Sequence, residues 1–370
     1  MIKIPAIRRW LGLRDRGLTI DRISNLASSK LLCAAETLPV QLPLNIAAKK
    51  DLPSEKMSFG FSFQDVPGLP LSECRFVEID NCSIEMLRDE WDSVFVDVKQ
   101  NRSRVLFRGA GIPSNLAQKG QREPIAEWAR AALPLEIWSG NYGHWIAYHL
   151  PKLLAFVESG FKDDIVLPER GRWLNVEERD VTYLSLIDEK ILRHHRLLQG
   201  VTNVKKLAII DGDPHHRSMI SNVASRLLGH VRQLPDAKRK RYYISRSNAG
   251  YRRLLNEKQL LEKLKDIGFE SISLENLPIL EQIEAFSRAE CIVGMHGSGL
   301  ANMIFCPADA LVVEVIAEDF PCPDFYRLAT TMGLGYCLAI ADSVGDGKPG
   351  YRDLVAPVET IASLVSDILQ

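Results

Sequence analysis

Two segments of the sequence decide the fold: Tyr242-Tyr243-Ile244-Ser245-Arg246 and, further along, Gly294-Met295-His296-Gly297-Ser298-Gly299-Leu300-Ala301-Asn302. Each begins as an apolar strand and runs into a polar or glycine-rich turn that leads to a helix. Such a turn aims backbone N–H groups and the positive end of a helix at one point, which suits a phosphate. Together the two segments predict a pocket for a nucleotide or a nucleotide-sugar.

The bulk composition bounds the class of protein. At 370 residues the chain has room for two domains, and its 46% hydrophobic and 25% charged residues are typical of a soluble globular protein. A net charge of −1 argues against a general nucleic-acid binder. No apolar run reaches the roughly 18–20 residues needed to span a bilayer, and arginines interrupt any signal peptide in the first twenty positions. The seven cysteines include no Cys-x-x-Cys pair, so we expect reduced thiols in a cytoplasmic protein.

Changes in pattern along the chain predict the domain boundaries. Residues 1–60 read as an irregular N-terminal extension, with a basic start that could lie on a membrane surface or pack on the body. An N-terminal α/β domain over 61–235 and a C-terminal nucleotide-sugar-binding α/β domain over 236–350 follow, joined at the charged stretch 235–241. The last segment, 351–370, is predicted to be a C-terminal helix.

The C-terminal half alternates between strands and helices. Strands are predicted at 242–245, 270–274, 291–294 and 311–315, with helices between and after them. This alternation predicts a parallel sheet with helices on both faces, in which ligands bind beyond the carboxyl ends of the strands. The residues that fall at those ends are Ser245, Arg246, His296, Gly297 and Ser298.

Four blocks of sequence carry a family resemblance. They are Gly140–Trp145 continuing to Leu153; Tyr243–Arg246 with Arg252, Arg253, Asn256 and Glu257; Glu281–Ile283 continuing to Ala289; and His296–Asn302 continuing to Phe305, with Glu314 after it. In order and spacing, over about residues 135–340, they resemble glycosyltransferase family 61. Bacterial members of that family are often capsular polysaccharide biosynthesis proteins.

The resemblance implies an enzyme with two Rossmann-like domains in a B-type glycosyltransferase fold. The N-terminal domain would receive the acceptor, and the C-terminal domain would hold the nucleotide-sugar. Transfer in this family is expected to invert the anomeric centre and to need no metal or other cofactor. Relatives commonly carry an acidic residue four positions after the histidine that here is His144. This chain has Tyr148 there, followed by His149, which leaves the identity of the catalytic base open.

Candidate catalytic and phosphate-binding residues follow from the chemistry of an inverting transfer. A base must deprotonate the acceptor hydroxyl, and histidine suits that task at neutral pH, so His144 and the weaker His149 are the candidates. A structural histidine that fixes the helix start is the alternative for His144. Arg246, after a buried strand, could chelate the diphosphate or form a surface ion pair. One of the next two arginines should face the cleft, and Arg253 is the one predicted.

The His296–Gly299 turn is the strongest local site. Gly297 and Gly299 would let the backbone approach a ligand, and Ser298 could cap the following helix. A tight turn without a ligand is the alternative. Glu314 lies in an apolar strand and therefore needs a partner, either a ribose or sugar hydroxyl or a basic side chain.

The sequence therefore predicts an inverting glycosyltransferase that transfers a sugar, expected from a UDP-sugar, to a polysaccharide or glycolipid acceptor of the cell surface. A lipid-linked acceptor would add peripheral membrane contact. One alternative is a metal-dependent phosphohydrolase at Asp211 and Asp213, although Asp-Gly-Asp-Pro is also ordinary turn composition. The other is a catalytically silent nucleotide-binding module of a polysaccharide assembly complex.

Overall fold

The structure is a computed structural model that describes residues 29–57, 61–86, 94–98, 103–106, 123–135, 141–168, 176–189, 195–198, 200–231 and 239–369. The predicted basic start of the chain lies outside these residues. The described chain forms two compact units. The first unit comprises Met1–Ala35 and Ser72–Pro214, and the second comprises Glu36–Leu71 and His215–Gln370.

The strands are numbered in chain order. They are β1 (Ser29–Cys33), β2 (Glu36–Thr37), β3 (Pro70–Leu71), β4 (Cys74–Met86), β5 (Val94–Val98), β6 (Ser103–Leu106), β7 (Ala126–Leu133), β8 (Asp164–Pro168), β9 (His195–Leu198), β10 (Val201–Asp211), β11 (Lys240–Ile244), β12 (Phe269–Ile272), β13 (Ala289–Met295), β14 (Leu311–Ala317), β15 (Gly335–Val344) and β16 (Asp353–Val355).

The α-helices are α1 (Leu150–Glu158), α2 (Val176–Ile187), α3 (Arg217–Leu228), α4 (Glu257–Asp266), α5 (Ile279–Ser287), α6 (Asp324–Met332) and α7 (Val358–Leu369). A short α-helical turn, Tyr142–His144, and a π-helical turn, Trp145–His149, lead directly into α1. The 3₁₀ helices are Lys49–Asp51, Phe63–Asp65, Leu274–Asn276 and Ser298–Phe305.

The first unit is built on a mixed sheet with the order β6-β5-β4-β10-β7-β8-β9, in which β1 also pairs with β4. Strands β10, β7, β8 and β9 are parallel, and α1 and α2 connect β7 to β8 and β8 to β9. Strands β4, β5 and β6 are antiparallel. Their connections, 87–93 and 99–102, are shorter than the dozen or more residues that a parallel crossover needs. The Rossmann-like part of this unit is therefore its β7–β10 half.

The second unit has the sheet order β12-β11-β13-β14-β15-β16, and only β16 runs antiparallel to its neighbour. Helices α4 and α7 cover one face, where Leu260 and Ile361 join the core. Helices α3, α5 and α6 pack with the 3₁₀ helix Ser298–Phe305 in the second helical layer. Every residue of β14 is buried, as expected for a central parallel strand covered on both faces. The α/β class and the presence of two α/β units are confirmed.

The boundaries of the two units differ from the predicted domain limits. The division falls after Pro214 instead of after residue 235, because α3 packs on the 3₁₀ helix, α5 and α6 of the second unit. Residues 36–57, predicted as part of an irregular extension, belong to the second unit: the Leu44 N–H donates to the Tyr336 carbonyl at 2.8 Å. None of the helices among the described residues is both long and apolar enough to cross a bilayer.

Candidate functional site

The topology of the second unit creates a crevice at the ends of β11 and β13. In sequence order the parallel strands run 2-1-3-4-5 across the sheet, so the chain leaves β11 toward β12 on one side and later returns to β13 on the other. Ligands of doubly wound sheets bind at such a switch point, outside the carboxyl ends of the strands. Ile244 of β11 and Gly294 of β13 are register partners. Arg246 and His296 each follow two residues later.

Arg246 lies directly on the glycine-rich turn after β13. A Cβ added to Gly297 would stand 2.2 Å from Nη1 of Arg246 and would displace the guanidinium from its place on the turn. Its Nη2 donates to the Tyr251 carbonyl at 3.4 Å, and the guanidinium lies 6.0 Å from the Tyr251 ring centre. Its Nε is buried and has no hydrogen-bond partner among the described residues. Burial, followed by the neighbouring charge of Arg252, lowers the pKa of Arg246.

Arg252 joins Arg246 in this cluster, and the sequence analysis did not select it. Its guanidinium lies 5.2 Å from the Tyr251 ring and 5.8 Å from the Phe320 ring. The Arg252 backbone has φ of 54°, a left-handed value that costs energy for a side chain with a Cβ. Its Nε is also buried, again without a partner in the described part of the chain. Neither arginine belongs to an ion pair found among those residues, where the nearest acidic influence on Arg246 is the more distant charge of Glu275.

Arg253, the arginine predicted to face the cleft, instead lies on the surface. Its Nη2 donates to Oδ2 of Asp353 at 2.6 Å, and its backbone N–H donates to Oδ1 at 3.0 Å. The side chain of Arg253 is 55% exposed. Because Arg252 adopts a left-handed φ, the chain turns between the two residues and the following side chain points to β16.

His296 and Glu314 form a buried pair that links three strands. Nδ1 of His296 donates to Oε1 of Glu314 at 2.6 Å, and the Tyr336 hydroxyl donates to Oε2 of the same carboxylate. Glu314 is fully buried and has the partner that the sequence requires. Of the two predicted kinds, the structure shows a basic side chain, His296, to which Tyr336 adds a hydroxyl donor. Phe320 and Phe325 flank the imidazole at 5.8 and 5.0 Å. These contacts fix the orientation of the ring, in which Nδ1 rather than Nε2 is bonded to Glu314.

The turn after His296 begins a 3₁₀ helix, Ser298–Phe305, where the sequence predicted an α-helix capped by Ser298. Gly297 occupies the N-cap position instead, with an extended φ of 177°. The two glycines have different neighbours: Gly297 makes room for Arg246, and a Cβ on Gly299 would meet Cδ1 of Leu274 at 2.6 Å. Gly297 therefore serves the site, and Gly299 serves the packing beneath it.

Ser245 helps to fix the turn that carries Arg246. It is buried, and its hydroxyl donates to Oε1 of Glu257 at 2.9 Å. The same oxygen accepts from the Arg246 backbone N–H at 3.3 Å. Ser245 thus holds the turn that carries Arg246, and Glu257, which the sequence analysis did not select as a site residue, is its anchor.

The two candidate catalytic histidines lie in the first unit. The His144 ring stacks on Tyr148 at 4.8 Å with 13° between the planes, and it remains partly exposed. Asn141, rather than His144, fixes the helix start: its side chain accepts from the N–H groups of Gly143 and His144. His149 is fully buried, with Nδ1 at 3.1 Å from the Pro134 carbonyl, a position in the core that offers no face to a substrate. The π-helical turn that contains both Tyr148 and His149 is a feature often found at functional sites.

The Asp211-Gly212-Asp213 turn packs tightly against β4. Gly212 has φ of 108°, and a Cβ there would stand 1.9 Å from the Glu73 carbonyl oxygen. The Cys74 thiol donates to the Asp213 carbonyl at 3.0 Å. Within the described residues, no group of three or more His, Cys, Asp or Glu side chains is arranged to hold a metal ion. The turn is thus part of the packing at the end of β10.

Comparisons with known proteins relate part of this sequence to a family. The glycosyltransferase 61 family model matches residues 142–313, a range that includes Arg246 and the His296–Gly299 turn. The EGF domain-specific O-linked N-acetylglucosamine transferase of Drosophila melanogaster is 34% identical over 107 residues, which are 28% of this chain and 20% of that protein. The beta-1,2-xylosyltransferase XYXT1 of Oryza sativa subsp. japonica is 22% identical over 244 residues, 59% of this chain and 52% of that protein. The matches thus span at most about half the length of these relatives.

Among solved structures, the iron-containing dodecameric glycosyltransferase TibC of enterotoxigenic E. coli aligns over 81% of this chain and 86% of its own. Its TM-score of 0.31 and 10% identity are too low to bear on fold or function. The sequence matches therefore carry the comparison: residues 142–313 of this chain are similar to glycosyltransferase family 61.

Proposed function

We propose that the protein is a glycosyltransferase that binds a nucleotide-sugar donor at the carboxyl ends of β11 and β13. The observation that carries this proposal is the pair Arg246 and Arg252 at the switch point of the second sheet, neither of which has an ion-pair partner among the described residues. Two guanidinium groups held close together without an acidic partner are stabilised by a bound anion of high charge density. A diphosphate meets that description.

The chemistry of transfer gives each group in the crevice a task. When the sugar leaves the donor, negative charge develops on the diphosphate, and positive groups that are already in place stabilise it. Arg246 and Arg252 would supply that charge, and His296, whose Nδ1 is held by Glu314, would contact the donor through Nε2. We propose His144 of the first unit as the base that deprotonates the acceptor hydroxyl, so that attack inverts the anomeric centre.

The substrates are proposed from the resemblance and from the relatives. A UDP-sugar is the proposed donor, and the relatives' names direct a first screen to N-acetylglucosamine and xylose donors. The proposed acceptor is a polysaccharide or glycolipid of the cell surface, glycosylated in the cytoplasm, with membrane contact where the acceptor is lipid-linked. The seven cysteines, all free thiols, are compatible with a reducing compartment. We propose that donor binding requires no metal.

Calorimetric titration with UDP in the presence of EDTA tests this proposal. Wild-type protein should bind UDP in preference to GDP and CMP, and Arg246→Ala should weaken UDP binding by roughly ten- to hundredfold, because a charge-assisted hydrogen bond to phosphate is lost. Lys240→Ala is the matched control. Lys240 lies at the opposite end of β11, exposed and paired with Glu270, so its loss removes one positive charge from the same unit without touching the crevice.

Three results would contradict the proposal. The first is absence of binding to any of the three nucleotides. The second is binding that appears only when Mg²⁺ or Mn²⁺ replaces EDTA, which would favour metal chemistry. The third is equal weakening by Arg246→Ala and Lys240→Ala, which would reduce the role of Arg246 to general electrostatics.

A further inference from the structure

An exposed aromatic ring stands beside the arginine cluster. Tyr351 lies in the loop between β15 and β16 and is 57% exposed. Its ring centre is 5.1 Å from that of Tyr251, and the two ring planes are tilted by 43°. Tyr251 is the residue over which Arg246 and Arg252 lie, at 6.0 and 5.2 Å. The Tyr251 ring therefore lies between the two guanidinium groups and the exposed ring of Tyr351.

The loop that carries Tyr351 is tied down on both sides of the ring. The Gly350 N–H donates to Oδ1 of Asp319 at 3.3 Å, and Nε of Arg352 donates to the Gly347 carbonyl at 3.1 Å. A Cβ on Gly350 would lie 2.6 Å from the Phe320 ring, so the loop passes in close contact with the ring that also supports Arg252. The position of Tyr351 beside the crevice is thus set by the fold.

An exposed ring next to a phosphate site suits a particular part of the ligand. Nucleobases stack on aromatic side chains because every base has a flat π-face, and adjacent arginines bind the attached phosphates. A nucleoside diphosphate offers both groups in one molecule. Binding it would bury the open face of Tyr351, which otherwise stays in contact with water.

We propose that Tyr351 stacks on the nucleobase of the donor whose diphosphate is bound by Arg246 and Arg252. This inference rests on the proposed function and extends it by assigning the base subsite to the β15–β16 loop. The ring supplies affinity for the nucleoside part, and the arginines supply affinity for the diphosphate. The two contributions can therefore be separated by ligands that contain one part or both.

The test compares UDP with inorganic pyrophosphate in wild-type, Tyr351→Ala and Tyr351→Phe proteins. UDP affinity is measured by calorimetry, and pyrophosphate affinity by competition with UDP. Tyr351→Ala should weaken UDP by roughly five- to hundredfold, the range expected for loss of one base–aromatic stack, and should leave pyrophosphate unchanged. Tyr351→Phe keeps the ring and should keep UDP affinity. Leu280→Ala, which removes an exposed apolar side chain from α5 of the same unit, is the control and should change neither affinity.

Each other outcome overturns the inference in a recognisable way. If Tyr351→Ala binds UDP as the wild type does, the ring does not contact the nucleoside, and the proposed function is unaffected. If UDP and pyrophosphate weaken equally, Tyr351 acts through the arginines rather than on the base. If the wild-type protein binds neither ligand, the proposed function fails, and the base subsite fails with it.

Discussion

At the scale of single residues, Arg252 and Arg253 are neighbours in sequence with opposite surroundings. Arg252 lies on two aromatic rings beside Arg246, whereas Arg253 pairs with Asp353 on the surface. We expect Arg252→Ala to weaken UDP binding by roughly tenfold or more, because a half-buried cation of the proposed diphosphate site is lost. Arg253→Ala should leave UDP affinity unchanged and alter stability little, since exposed ion pairs contribute little.

The same calorimetric titration measures both variants, and thermal unfolding checks that each is folded. The two substitutions remove the same side chain from adjacent positions, so each is the control for the other. Loss of UDP affinity in Arg253→Ala with normal affinity in Arg252→Ala would mean that the crevice has been assigned to the wrong arginine.

The sequence was sufficient to place Arg246 and the His296–Gly299 turn at one edge of the sheet. Carboxyl ends of parallel strands meet at the same edge, so residues that follow two such strands come together whatever the details of packing. The choice between Arg252 and Arg253 was not predictable in this way. It depends on one left-handed backbone angle, at Arg252, for which the residue type gives no signal.

Glu314 marks a second limit of residue-level prediction. Its place in an apolar strand was enough to require a partner, because an isolated buried carboxylate is costly. The identity of the partners was not predictable, because His296 comes from the end of β13 and Tyr336 from β15. Both contacts depend on which strands are neighbours, and strand order is a property of the folded sheet.

At the scale of elements, the junction of α1 with β4 and β10 contains a buried lysine. Lys152 of α1 is 1% exposed, and burial lowers its pKa to about 8. Burial likewise raises the pKa of the Cys74 thiol of β4 to about 12. The charges of Asp211 and Asp213 favour protonated Lys152 but do not outweigh the cost of burial. Between about pH 8 and 10.5 the amine is therefore neutral in the folded protein and protonated in the unfolded chain.

This difference predicts that Lys152 destabilises the fold less as the pH rises. In that window the unfolded chain binds the extra proton, so the free energy of unfolding increases with pH, by up to about 1.4 kcal/mol per pH unit. Lys152→Met removes the titrating group. The unfolding free energy of the wild type minus that of Lys152→Met should therefore rise between about pH 8 and 10.5. Urea unfolding followed by tryptophan fluorescence measures it, because all six tryptophans belong to the first unit.

Lys205→Met provides the comparison for this measurement. Lys205 lies on β10 of the same unit, but it is largely exposed and pairs with Glu127. Its substitution should give a stability difference from the wild type that hardly changes across the same pH range. A flat pH dependence for Lys152→Met as well would show that the buried amine keeps its proton on folding.

The strands and helices predicted for the second unit agree closely with those observed, whereas the prediction for the first unit agrees only in part. Periodicity located β11, β13 and β14 and the helices between them, and Gly268, with φ of 84°, follows the end of α4. Asn256, a residue type that favours helix N-caps, makes two hydrogen bonds to Ala356, ahead of α7, and does not cap α4 with its side chain. In the first unit, the antiparallel pairing of β4 with β1 and β10 joins distant segments, which local pattern does not report.

At the scale of the whole molecule, the chain passes between the two units three times, after residues 35, 71 and 214. Residues 36–71 leave the first unit, pack on the second and return. The described part of this segment contains little regular structure, and hydrogen bonds to α6 and to the residue before β15 hold it: the Tyr326 hydroxyl donates to the Gln41 carbonyl, and the Gln41 side chain donates to the Leu334 carbonyl. A proline-rich sequence predicts irregular backbone, but it does not predict the unit against which that backbone packs.

Asn45 is the contact through which this segment covers the edge of β15. Its amide donates to the Leu338 carbonyl at 2.7 Å, and its Oδ1 accepts from the Leu338 N–H at 3.0 Å, so one side chain substitutes for a neighbouring strand. Asn45→Ala leaves both backbone groups of a buried residue unpaired, which should lower the free energy of unfolding of the second unit by about 1–3 kcal/mol.

Hydrogen exchange of the peptide that spans β15 measures this effect directly. The Leu338 amide should exchange faster in Asn45→Ala than in the wild type, because the bond that protects it has been removed. Asn45→Asp retains the acceptor for that amide but loses the donor, so its exchange should be intermediate. Amides of β4 in the first unit serve as the internal reference and should exchange at the wild-type rate in both variants. Unchanged exchange at Leu338 in Asn45→Ala would mean that the Asn45 side chain does not protect this amide and that other contacts, such as the Leu44 N–H to the Tyr336 carbonyl, hold the segment on β15.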